Sequence, residues 1–188
     1  MKDGFFAALQ SIAPLSKETM ADIDACLAAA HYPAHTILVR DGQISDRMFF
    51  ILNGALRAYY VHQDWEYTDW FMFEHMFACS LSAFFGALPS PQCIEALEAT
   101  DVLILTRPQL DDLCKKHHDM SLLNGRILSH SLVTLQTGFI DQRFKTPPER
   151  YALLLQHYPE VVRRVPLKYI ASYLGVSQET LSRIRAKM

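Results

Sequence analysis

The spacing of hydrophobic and polar positions changes period along this chain. Over residues 3–29 Phe5, Phe6, Leu9 and Ile12 keep a helical rhythm, Pro14 breaks it, and Ser16 with Glu18 and Thr19 opens a second helix through Met20, Ile23 and Leu27. From about His31 to Arg107 the period falls to two. Residues 36–39, 48–52, 55–61, 67–73, 94–97 and 102–105 are β-branched, aromatic or alternating runs. Asp41-Gly42, Asn53-Gly54, Gln63-Asp64 and Pro89 with Pro91 separate them as turns, and Asn53-Gly54 is the strongest hairpin signal. Many short strands at regular spacing predict an antiparallel β-barrel or jelly roll.

A helical period then returns. Pro108 opens the short helix PQLDDLCKKHH, and a longer helix runs roughly from Asp119 to Arg143. On it Met120, Leu123 and Ile127 form one apolar stripe; Leu128, Leu132, Leu135 and Phe139 form another, at alternating steps of four and three. Such steps suit helix-on-helix packing. Two stripes exceed what one barrel wall needs, so one is expected to face a second subunit, and all seven residues are candidates for the dimer interface. Thr146-Pro147-Pro148-Glu149 reads as a capping box with proline at the first helical position, opening a helix over 149–157. The expected fold class is α+β: an N-terminal antiparallel barrel flanked by helices over 1–117, a long dimerisation helix over 118–145, and an all-α C-terminal domain over 146–188.

The last stretch, residues 167–187 (LKYIASYLGVSQETLSRIRAK), reads as a helix-turn-helix. Ile170, Ala171 and Leu174 share one face of the first helix. Gly175 stands at the sharp turn, Ser177 can cap the second helix, and Leu181 and Ile184 point back at the first. Gln178, Glu179, Ser182, Arg183 and Ala186 are left facing outward. Glutamine can pair with adenine, glutamate can accept from cytosine and arginine can grip guanine, so the first four suit the major groove. An ordinary helical hairpin with a solvated polar face is the plainer alternative.

Charge separates the two ends. Net charge is −2, which alone argues against a nucleic-acid partner. Residues 143–188, however, carry 9 Lys/Arg against 3 Asp/Glu, a balance of +6, and residues 1–142 carry 9 against 17, a balance of −8. A basic module fused to an acidic body is expected if only the tail meets phosphate. Ser177, Arg163, Arg164, Lys168, Arg185 and Lys187 are the candidate phosphate contacts. The four cysteines, Cys26, Cys79, Cys93 and Cys114, form no CxxC pair, which fits a reduced, cytoplasmic protein. No apolar run reaches membrane-spanning length and no secretory leader is visible, so no membrane partner is expected.

A helical preface, a small barrel, a long helix and a terminal helix-turn-helix together resemble the catabolite-activator (Crp/Fnr) family of bacterial transcription regulators. The segments RDGQISDRMFFILNGALRAYY (40–60), with Gly54 at the family's hairpin glycine, and SYLGVSQETLSRI (172–184) carry the resemblance. It implies a homodimer joined through the long helix, with one recognition helix per subunit in successive major grooves and geometry adjusted by an effector in the barrel. Double-stranded DNA, a second copy, RNA polymerase and a small-molecule effector are the implied partners. Gln178, Glu179 and Arg183 match the base-reading positions, although Gln178 stands where many members carry a basic residue.

Two departures qualify it. Cyclic-nucleotide binders carry a Gly-Glu pair and, about a dozen residues on, an arginine followed by a small residue. Here the pair is Cys79-Ser80 and the later slot falls at Ser90-Pro91-Gln92, with no arginine. A cyclic phosphate would lose its charge-assisted bonds, so cyclic AMP is not the expected ligand. The candidate effector slot comprises Cys79, Ser80, Ser90 and Gln92, with Leu135 and Gln136 from the long helix. The second departure is at the C-terminus, where the family's β-hairpin wing is not seen before Met188, giving the expectation of a wingless helix-turn-helix.

Other constellations are weak. Cys114, His117 and His118 could share a helix face, but supply no fourth metal ligand. His31 and His35 flank Pro33 and cannot pair on a helix. No catalytic triad, phosphate loop or carboxylate pair stands out, so neither catalysis nor a cofactor or metal is expected. The alternative to a DNA-binding regulator is a small-molecule sensing or protein-interaction module whose tail has no DNA role.

Overall fold

The computed structural model describes residues 2–187. Two helices, α1 (Asp3–Ile12) and α2 (Lys17–Cys26), precede the sheets. Ser16 caps α2, its Oγ accepting from the Thr19 amide at 3.1 Å. The strands are β1 (Ala28–Tyr32), β2 (Ile37–Val39), β3 (Arg47–Asn53), β4 (Leu56–His62), β5 (Trp65–Met72), β6 (Phe77–Ala78), β7 (Cys93–Ala96) and β8 (Thr100–Thr106), with the short helix α3 (Leu81–Gly86) between β6 and β7. They form two antiparallel four-stranded sheets, ordered β1-β8-β3-β6 and β2-β7-β4-β5. Phe49, Ile51 and Val102 from the first sheet meet Leu56, Met72 and Ile94 from the second in a closed interior. This is the jelly-roll arrangement that the alternation predicts.

Two local expectations are corrected. Ala28-Ala29-Ala30 continue no helix: they pair with Ile104, Leu103 and Val102 of β8. Alanine's helix preference is under 1 kcal/mol per residue over most alternatives, so a sheet edge can override it. Asn53-Gly54 is not a hairpin within one sheet, because β3 and β4 lie in different sheets. The chain crosses between sheets there, with Gly54 at φ +108°. The tight hairpin is instead β4–β5, where Gln63 and Asp64 both take positive φ (51° and 64°) and His62 pairs with Trp65, as a two-residue turn with the twist of its strands requires.

The remaining helices are α4 (Arg107–Lys116), α5 (His118–Phe144), α6 (Pro147–His157), α7 (Val161–Arg164), α8 (Leu167–Leu174) and α9 (Gln178–Arg185). Capping boxes open α4 (Thr106 with Gln109) and α6 (Thr146 with Glu149). The outer face of the first sheet is covered by α1, α2, α4 and the start of α5, around Phe5, Leu9, Ile23, Phe50, Leu103, Leu110 and Leu123. The outer face of the second sheet is covered by the C-terminal helices, so that Ala55, Phe71, Phe73 and Leu97 share one core with Leu154, Val161, Ile170, Leu174 and Leu181.

Helix α5 therefore divides along its length. Met120 and Leu123 are buried in this chain's own core and Ile127 packs against it, so these residues are not free for a second subunit. That corrects their inclusion in the dimer interface: the barrel's helical cover claims them first. Leu128, Leu132, Leu135 and Phe139 lie on another face and are exposed, with Leu132 at 69% and Phe139 at 64%.

Candidate nucleic-acid interface

The α8–α9 pair is built locally. Ile170, Ala171 and Leu174 of α8 are buried with Leu181 and Ile184 of α9. Gly175 ends α8 in the left-handed conformation, φ +67° and ψ 34°, where a Cβ would be strained. The Arg150 side chain of α6 donates to the Leu174 carbonyl, covering one free end of α8. Ser177 caps α9, its Oγ accepting from the Thr180 amide at 3.2 Å. With the apolar side turned inward, Gln178, Glu179, Ser182 and Arg183 are all exposed on one helix. A hydrogen bond from the Ser177 side chain holds the Glu179 carboxyl below its ordinary pKa, so it presents an acceptor.

The basic residues separate into two groups. Arg163, Lys168, Arg185 and Lys187 are exposed. Arg164 is not free for phosphate: its Nη1 and Nη2 lie 2.7 and 2.8 Å from the two oxygens of Glu74, and it also engages Glu98. This corrects its assignment as a phosphate contact, because two carboxylates already satisfy its charge. That bond holds the Glu74 carboxyl down at about 2 and pushes the arginine up. The Ser177 hydroxyl, exposed, is likewise engaged in the cap.

The candidate effector slot is only partly assembled. Ser80 is buried ahead of α3, its Oγ with no hydrogen-bond partner among the described residues. Ser90 Oγ donates to the Gln92 carbonyl at 2.6 Å, and the Ser90 backbone ties to Gly42 and Gln43. Burial pushes the Cys79 thiol up to about 12, keeping it protonated. Leu135 and Gln136 are instead exposed on α5, whose main neighbours in the chain are α4 and α1. Phe49, Ile51, Leu56, Ile94 and Val102 are fully buried in the barrel interior. An apolar cavity of about 40 Å³ lies outside the barrel, lined by Phe5, Leu9, Ile127 and Asn124 among others. That is roughly a tenth of an ordinary small-molecule pocket.

Cys114, His117 and His118 do not share one helix, because the chain turns at His117 between α4 and α5. His117 instead meets Asp22 at 2.6 Å, with Glu18 close by. Lys116 bonds the same Asp22 and lies 3.8 Å from Glu18, so the chain supplies its own cation there.

Residues not singled out in the sequence hold the C-terminal helices to the barrel. Arg57 of β4 is fully buried, its guanidinium carbon 4.0 Å from the Tyr59 ring centre and 3.6 Å from that of Tyr169 on α8. It pairs with Glu95 at 3.2 Å and with Glu66. The alternating run 55–61 places Arg57 on the outer face, but period alone cannot say that a helix covers it.

Residues 29–117 match the cyclic nucleotide-binding domain family. No curated protein sequence matches the chain. Solved structures share its fold. FixK2 from Bradyrhizobium japonicum is 17% identical with a TM-score of 0.73, covering 86% of this chain and 83% of that one. CooA from Carboxydothermus hydrogenoformans, a mutant, is 20% identical with a TM-score of 0.67, covering 88% and 77%. A protein from Eubacterium rectale assigned to the Crp/Fnr family of transcriptional regulators is 17% identical with a TM-score of 0.69, covering 92% and 83%. Residues 29–117 thus match the cyclic nucleotide-binding domain model, and the chain shares the overall fold of these structures, as the resemblance read from its sequence implies.

Proposed function

We propose that this chain is a DNA-binding transcriptional regulator, a homodimer that reads a palindromic operator with α9 of each subunit. It divides into a barrel (1–117), a long dimerisation helix (118–145) and a DNA-binding head (146–188). The observation that carries the reading is the exposed row Gln178, Glu179, Ser182 and Arg183, on a capped helix, in a segment of net charge +6. Arg163, Lys168, Arg185 and Lys187 hold phosphates around that row. The exposed stripe Leu128, Leu132, Leu135 and Phe139 joins two subunits, since a solvated apolar stripe of that length is a liability in a monomer. The missing arginine argues against cyclic AMP as effector.

Arg183→Ala tests this. It should relax specificity at one base pair and weaken cognate binding by about 1–3 kcal/mol. Specific binding that survives the change undiminished would show that α9 does not read bases. The alternative, a sensing or interaction module without a DNA role, predicts no duplex binding above that of any acidic polymer.

A further inference from the structure

We propose that Arg57, Tyr169 and Arg164 are positioning residues that fix the orientation of the DNA-reading head on the barrel, and with it the operator half-site spacing the protein accepts. The inference rests on the DNA-reading function proposed above and adds what sets its geometry. Apolar packing between Phe71, Phe73, Leu97 and the C-terminal helices joins the two parts but is weakly directional. The charged anchors are directional and run opposite ways. Arg57 reaches out of the sheet and is gripped between the rings of Tyr59 and Tyr169, which fixes the distance and tilt of α8. Its Nε and Nη1 have no hydrogen-bond partner among the described residues, so ring contact and the pairs with Glu66 and Glu95 hold it.

Arg164 reaches from the head back to the sheet. Its fork takes both oxygens of Glu74, and the same Glu74 oxygen accepts from the Gly54 amide at 2.8 Å. That anchor ends at the corner where the chain changes sheets, where Gly54 packs tightly against Thr100. A third tie closes the edge of β5: Ser172 Oγ of α8 accepts from the Thr68 amide at 2.9 Å and donates to the Glu66 carbonyl at 2.7 Å. All three hold while Gln178, Glu179, Ser182 and Arg183 stay exposed. The docked head is therefore compatible with reading bases, and the anchors orient α9 without hiding it. In a dimer, the angle of each head on its own barrel sets the separation of the two reading helices.

Two readouts test this on the full-length protein. Hydrogen exchange at the Thr68 amide reports docking directly. It should be slow in the native chain and at least ~10-fold faster in Tyr169→Leu and Arg164→Gln, with Tyr169→Phe, which keeps the ring, unchanged. Selection from duplexes with varied half-site spacers should give one preferred spacer for the native chain and for Tyr169→Phe. It should give several for the two disrupted variants, with half-site sequence unaltered. Glu98→Gln, a change at a partly exposed partner, serves in place of a variant that does not fold. Unchanged Thr68 exchange, or a single sharp spacer in folded variants, would overturn the proposal. Failure of the native chain itself to select any half-site would remove the DNA reading instead, and Thr68 exchange would still decide whether the anchors hold the head.

Discussion

Arg164 on α7 and Glu74 after β5 hold each other through paired bonds of 2.7 and 2.8 Å across the boundary between head and barrel. An arginine in a basic run is thereby removed from the pool of phosphate contacts. Arg164→Ala should leave the slope of log affinity against log salt unchanged. Lys187→Ala or Lys168→Ala, each removing an exposed cation, should lower it by about 0.9. Duplex titrations from low to physiological salt measure both.

The same pair makes stability depend on pH. Glu74 is held at about 2 against its ordinary value of 4.5, chiefly by the Arg164 bond. A depressed carboxylate stabilises the fold fully above its unfolded value and ceases to do so as pH falls through the folded one. The head should therefore loosen between about pH 4.5 and 2, and not at neutral pH. Denaturant unfolding across that range should show a loss of stability in the native chain that is smaller in Glu74→Gln.

Gly54 admits no side chain. A Cβ there would lie 2.4 Å from Thr100 Oγ1 and 2.7 Å from the Thr100 Cα, and its φ of +108° disfavours other residues. Gly54→Ala should destabilise by roughly 2–4 kcal/mol, combining backbone strain with overpacking. Gly42→Ala, also at positive φ but with nothing within 4 Å, should cost less. Thermal or urea unfolding of the two variants gives the comparison.

The two faces of α5 should respond differently. Leu123→Ala, in the chain's own core, should cost about 2–5 kcal/mol of stability. Leu132→Asp with Phe139→Asp, on the exposed stripe, should leave the fold intact and yield monomers. Sedimentation at micromolar concentration, alongside unfolding curves, separates these effects.

What was legible in the sequence was local. The α8–α9 pair could be read because Gly175, the Ser177 cap and the spacing of Ile170, Leu174, Leu181 and Ile184 all lie within a few turns. The strands of 48–52 and 55–61 could be read from alternation, but not that the chain changes sheets between them, since that depends on Gly54 meeting Thr100 far along the chain. β6, two residues long, has no period to detect. Arg57 and Arg164 were misjudged or passed over for one reason: a charge is visible in sequence, but its partners, here Tyr169, Glu74 and Glu98, are not. Met120 and Leu123 share their apolar character with Leu132 and Phe139, and only the packing of α1 and α4 decides which face is covered.

The central claim is that this chain reads a palindromic operator as a dimer, and selection of duplexes from a random pool by the purified protein, with no ligand added, tests it most directly. The account predicts enrichment of an inverted repeat whose half-sites lie about one helical turn apart, lost in Arg183→Ala. Enrichment of no sequence, either alone or with cell extract supplying small molecules, would contradict it.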